Sequence, residues 1–118
     1  MEFIEAPLFT QLLPDYLGDD DYRELQSYLV RDPEAGNVIP GTGGFRKLRW
    51  ADRRRGKGKR GGMRVIYYYM VEESLIWLLT LYDKDEAADL SPTERRLLKA
   101  AVEVETKGRA QRRGSKRK

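Results

Sequence analysis

Apolar positions along this chain of 118 residues follow a helical spacing near the start and at the end, and an alternating spacing between. Glu2-Phe3-Ile4-Glu5 has the pattern of a short strand, and Pro7 suits the first turn of a helix running toward Leu13, with Pro14 and Gly18 as interruptions. Asp19, Asp20 and Asp21 are candidate caps for a second helix, in which Tyr22, Leu25 and Leu29 fall on one face. Pro33 and Gly36 end it, and Gly41, Gly43 and Gly44 demand a turn between Pro40 and Phe45.

Period two begins at Phe45. Arg46, Leu48 and Trp50 share one face of the predicted strand, and Phe45, Lys47 and Arg49 share the other, which faces solvent if Leu48 and Trp50 go to the core. Met63 to Val71 and Leu75 to Tyr82 are apolar runs rich in β-branched and aromatic residues, joined through Glu72-Glu73-Ser74, the signature of a hairpin. Val65, Tyr67 and Tyr69 alternate with Arg64, Ile66 and Tyr68. Ser91 as N-cap, Pro92 at the first helical position and Glu94 at the third open a last helix whose stripe is Leu97, Leu98, Ala101 and Val102. The predicted order is β-α-α-β-β-β-α. It implies an α+β domain, a small, mostly antiparallel sheet with two N-terminal helices and one C-terminal helix, all packed on one side.

Charge sharpens this picture. Residues 1–40 hold two basic and nine acidic groups, whereas 41–64 hold ten basic and one acidic, together with seven glycines. Residues 65–104 return to four basic and eight acidic, and 105–118 hold seven basic and one acidic. A net charge of +4 therefore conceals an acidic body with two basic stretches. Cations as dense as those in GTGGFRKLRWADRRRGKGKRGGMR repel one another unless a polyanion lies over them, so the segment reads as a nucleic-acid surface, with a solvated charged surface as the plainer alternative. The segment 107–118 has only Ala110 to anchor it and is expected to be a disordered basic tail beyond a domain of residues 1–106.

The chain has no cysteine and no histidine. Disulfides and thiolate metal sites are excluded, and the usual neutral-pH base and transition-metal ligand are missing, so any catalysis falls to Lys, Arg, Tyr or carboxylates. The expectation is a protein without cofactor or metal. No apolar run approaches a membrane span, and the acidic first residues do not form a signal peptide, so the expected location is cytoplasmic.

The order GTGGFRKLRW, GKGKRGGMRVIYYY and LLTLYDKDEAADLSPTE resembles the HigB-type toxins of the RelE/ParE superfamily, over about residues 2–104. The resemblance implies the toxin of a type II toxin–antitoxin module, a ribosome-dependent messenger RNA endonuclease (an mRNA interferase). Its partner would be a cognate antitoxin, a DNA-binding HigA-like protein. By motif position, Lys47 and Arg49 match the family's basic pair, Arg64 the arginine opening the next strand, and Lys84 the lysine after the last strand. The pattern departs after Lys84. Asp85 and Glu86 stand where an arginine is found in the best-known members, and no tyrosine lies between Leu90 and Leu98. The leaving-group acid and one phosphate clamp are thus not placed by the motif; Tyr82, Lys57 and Lys59 are candidates.

Cutting RNA without metal requires a base for the 2′-hydroxyl, cations for the phosphorane charge and an acid for the 5′-oxygen. Lys47, flanked by Arg49 and Arg64, is the candidate base. Arg64 is the candidate stabiliser of the transition state and Tyr82 the third catalytic candidate. Arg46, Arg49, Lys57, Lys59, Arg60 and Lys84 are candidate nucleic-acid contacts, with Tyr68 as a base-stacking one. Each has a plainer alternative. Lys47 and Arg49 would bind ribosomal RNA without chemistry, Arg64 would pair with a carboxylate, and the carboxylates Asp83, Asp85, Glu86 and Asp89 would form a solvated link rather than a cation site. Two other functions compete: a same-fold toxin acting on another target such as DNA gyrase, and a non-catalytic nucleic-acid-binding regulator.

Overall fold

The computed structural model describes residues 1–52, 62–84 and 90–116, with Thr106 and those beyond 108 by backbone alone. Among them, β1 (Glu2–Glu5), β2 (Asn37–Val38), β3 (Arg46–Trp50), β4 (Met63–Met70) and β5 (Leu75–Asp83) form one sheet in the order β1-β5-β4-β3-β2. β1 runs parallel to β5, and the other pairings are antiparallel. The helices are α1 (Pro7–Tyr16), α2 (Asp19–Arg31) and α3 (Pro92–Lys116). The α+β class and the element order match the expectation. β2 is additional, being two residues long and so too short to show alternation.

Local chemistry accounts for the ends. α1 continues past Pro14 to Tyr16: the proline's fixed φ is compatible with the helix, which gives up one backbone hydrogen bond there. Gly18, not an aspartate, caps α2; Asp19, Asp20 and Asp21 fill its first turn, at the positive end of the helix dipole. Gly41, Gly43 and Gly44 all have positive φ, as the turn requires. Thr42 is fully buried within that turn, its Oγ1 donating to the Ile39 carbonyl (2.7 Å) and accepting from the Phe45 N–H (3.1 Å). Ser91 and Glu94 form the expected reciprocal cap: the Ser91 N–H donates to Glu94 Oε1 (2.9 Å) and the Glu94 N–H to Ser91 Oγ (3.1 Å). The Ser91 N–H, and after it the Ser91 hydroxyl, hold the Glu94 carboxyl below its ordinary pKa.

The helices cover both faces of the sheet, not one. Phe9 of α1 and Leu25 and Leu29 of α2 pack with Leu48, Val65, Tyr67 and Leu78 on one face. Leu98 and Val102 of α3 pack with Phe45, Ile66 and Trp77 on the other. The reason lies in β4, where Val65, Ile66 and Tyr67 are each fully buried although alternation sends them to opposite faces. A central strand that is apolar on both sides needs two covers. α3 runs on to Lys116. Arg, Lys, Gln and Ala are good helix formers, and Gly108 and Gly114 do not break the run.

Two tyrosines tie α2 and its exit loop to the sheet. Tyr22 Oη donates to Glu5 Oε2 (2.7 Å); Tyr67 Oη donates to the Pro33 carbonyl (2.8 Å) and accepts from the Gly36 N–H (2.9 Å). Burial raises both pKa values, assisted at Tyr22 by the Glu5 carboxylate. Unfolded tyrosines ionise near pH 10 while these remain protonated in the fold. Their contribution to stability is therefore complete below about pH 10 and is lost as pH rises above it. The urea midpoint should fall between pH 8 and pH 11, and less steeply in Tyr67→Phe than in wild type; parallel slopes would refute the assignment.

Candidate nucleic-acid interface

Strand register decides which basic residues meet. Arg49 lies directly opposite Arg64, and Arg64 directly opposite Tyr82, so the three form one row across β3, β4 and β5. Lys47, two residues before Arg49, occupies the same face and pairs with Ile66. Directly opposed residues have Cβ atoms about 4.5–5.5 Å apart, and diagonal neighbours lie about 7–8 Å apart, close enough for these side chains to reach one phosphodiester. Lys84 follows β5 by one residue, and its N–H is bonded to the Gly62 carbonyl (3.3 Å), which places its backbone at the same end of the sheet.

Exposure differs along the row. Arg49 is exposed, Lys47 and Tyr82 are half-buried, and Arg64 is only 7% exposed. Arg64 Nη1 donates to the Met63 carbonyl (3.2 Å), which helps fix the guanidinium near the strand. Two arginines directly opposed on neighbouring strands destabilise a sheet. An anion between them reverses that sign.

α3 shares this face and limits the patch. Phe45, expected beside Lys47 on a solvent face, is fully buried under α3. Its ring meets Tyr68 edge-on at 5.4 Å and Trp77 at 5.9 Å. Tyr68 is therefore a packing residue rather than a presented stacking platform; a Cβ at Gly44 would lie 3.0 Å from its ring. Arg46 also leaves the candidate set. It lies on the α1–α2 face, opposite Tyr67, donating to the Glu34 (3.1 Å) and Gly36 (2.8 Å) carbonyls and pairing with Glu34 at 3.9 Å. Its role is to hold the loop after α2. Lys57, Lys59 and Arg60 lie outside the described residues, as do Asp85, Glu86 and Asp89. Asp83, expected in a solvated link, is fully buried, because it ends the inward set Leu81 and Asp83 on β5. That parity was readable once the strand was extended by one residue.

Arg95 is the residue that sequence reasoning missed. From α3 it donates to the Leu90 (3.3 Å) and Pro40 (3.4 Å) carbonyls, clipping the helix start to the glycine turn before β3. No local signal marks such a pairing across 55 residues. Among the described residues no group of His, Cys, Asp or Glu could hold a metal ion, and no helix is long and apolar enough to cross a membrane.

No family model matches the chain. Among solved structures it is similar to a double mutant of the E. coli toxin RelE in the free state, at 20% identity over 74% of this chain and 85% of that one, with a TM-score of 0.46. It is also similar to the isolated E. coli RelE toxin, at 13% identity over 85% of this chain and 97% of that one, with a TM-score of 0.48.

Proposed function

We propose that the chain is a RelE-like toxin of the HigB type that cuts messenger RNA on the ribosome and is restrained by a cognate HigA-like antitoxin. The observation that carries this reading is the row Arg49–Arg64–Tyr82 with Lys47 beside it, a cationic group on one face of one sheet. The sequence motifs that resemble the toxin family support it independently.

In this reading Lys47 accepts the 2′-hydroxyl proton as the oxygen attacks phosphorus. Arg64, supported by the backbone of its own strand, holds the charge that accumulates on the phosphorane oxygens, where a planar fork acts best. Tyr82 gives its proton to the departing 5′-oxygen. Arg49 and Lys84 hold flanking phosphates, and Lys57, Lys59 and Arg60 contact the RNA backbone from the segment between β3 and β4.

Primer extension on messages from cells expressing the chain tests the proposal. Codon-associated cuts are the expected result. Intact messages with stalled replication would instead indicate a gyrase-type target, and intact messages without growth arrest a non-catalytic binder. The electrostatic part has its own check. Ribosome or RNA affinity should fall steeply between 50 and 200 mM salt, about 10³–10⁵-fold for a surface making six to ten phosphate contacts. A flat salt profile would contradict it.

A further inference from the structure

α3 brings two cations to the glycine turn that precedes β3. Arg95 and Lys99 stand at i and i+4, so they share one side of the helix. A Cβ at Gly41 would lie 3.8 Å from the Arg95 Cβ and Cδ, and one at Gly43 would lie 3.3 Å from the Lys99 Cγ. Both stems therefore lie along the turn, while Leu98 and Val102 of the same helix pack with Phe45 and Ile66. The half-buried Arg95 donates through Nε to the Leu90 carbonyl and through Nη1 to the Pro40 carbonyl; these use two of a guanidinium's five N–H groups and leave three for a ligand. Lys99 is exposed, and among the described residues neither it nor Glu103, one turn on, is in an ion pair.

We infer that Arg95 and Lys99 form a phosphate-binding subsite, which continues the cationic row onto α3, so that an RNA strand lying on Arg49 and Lys47 extends across the glycine turn. Lys47 follows Gly44 by three residues, at most about 11 Å of backbone, and lies on the sheet face that α3 covers. Like charges at i,i+4 weaken a helix, and a phosphate between them reverses that sign. The guanidinium is held before a ligand arrives and offers its remaining N–H groups to phosphate oxygens, with the Lys99 ammonium as a point charge beside it. RNA fits this place better than an acidic protein segment. Ile39, Thr42 and Phe45 are buried and the three glycines have no side chains, so the turn presents no apolar anchor of the kind on which protein interfaces depend. The inference rests on the RNA-binding part of the proposed function and does not require cleavage.

The test is binding of a fluorescein-labelled 2′-O-methyl oligouridylate, which has no free 2′-hydroxyl to attack its own phosphate, by the full chain between 50 and 200 mM KCl. Lys99→Gln should make the slope of log affinity against log salt shallower by about 0.7, and Arg95→Gln with Lys99→Gln by about 1.4, the single-strand value for one and two phosphate contacts. Arg23→Gln removes the same charge from an exposed position of α2, which packs on the opposite face of the sheet, and should leave the slope as it is. Thermal melts of Lys99→Gln should match wild type, so that its effect is not lost packing. Because the chain has no cysteine, Lys99→Cys labelled with benzophenone maleimide should crosslink to the oligonucleotide on illumination, and Arg23→Cys so labelled should not. An unchanged slope in the double variant would overturn the inference, as would equal effects of Lys99→Gln and Arg23→Gln. Polyglutamate that displaces the oligonucleotide from wild type but not from the double variant would make the subsite an acidic-protein site instead. Each of these failures leaves the RNA interface of the sheet standing where wild type binds with a steep salt slope, whereas a wild type that does not bind the oligonucleotide refutes both.

Discussion

Replacing Arg64 by alanine should slow RNA cleavage by about 10²–10³-fold while leaving ribosome affinity nearly intact, the usual size of effect when one donor to a developing oxyanion is removed. Arg64 stands at the centre of the row, on the central strand of the sheet, between Arg49 and Tyr82. Its 7% exposure and its bond to the Met63 carbonyl suit a donor fixed before substrate arrives. Arg49, being exposed, is more suited to gripping RNA than to chemistry. Arg49→Ala should therefore weaken binding more than it slows turnover, and Arg64→Ala the reverse. Lys47→Ala should cost about 10²–10⁴-fold if the amine is the base. Arg64→Lys keeps the charge but loses the fork, and should fall between wild type and alanine. Single-turnover cleavage on saturating ribosomes, with thermal melts to confirm folding, provides the comparison. Equal losses of binding and cleavage in Arg64→Ala would reduce this residue to one more RNA contact.

Phe45→Ala should remove about 3–5 kcal/mol of stability, the range for deleting a buried aromatic side chain. Against a typical total of about 5–15 kcal/mol that is a large fraction. Phe45 has no exposed surface, lies between the glycine turn and α3, and meets both Tyr68 and Trp77. The same ring joins the start of β3 to the cover of the cationic face, so its loss should loosen α3 first. Hydrogen exchange of α3 amides near Leu98 and Val102 should accelerate more than that of α2 amides near Leu25 and Leu29, which pack on the opposite face. Uniform acceleration would mean that the two faces unfold together. Denaturant melts would give the total effect.

The alternation in Phe45–Trp50 was enough to place Lys47 and Arg49 on one face, because side-chain direction in a strand depends only on parity, whereas the register between β3 and β4 was needed to bring Arg64 to them. The Ser91–Glu94 cap and the glycine turn were legible for a similar reason, each being satisfied within a few residues by its own backbone chemistry. Arg46 and Tyr68 were not legible. Both have the residue types of an RNA contact, yet Arg46 is held by carbonyls ten and twelve residues earlier and Tyr68 packs with Phe45 beside a glycine. Such partners arise from how elements meet, and local pattern has no record of it.

Sequence alone determined the order of every element but β2, the polarised charge and the alternation of β3 and β4, since these follow from neighbours along the chain. Only the tertiary structure decided which strands lie adjacent, that Arg49 faces Arg64 and Arg64 faces Tyr82, and that α3 covers the Phe45 end of that face. Register between strands is settled by the burial of both faces of β4 at once, and that sum runs over residues distant in the chain.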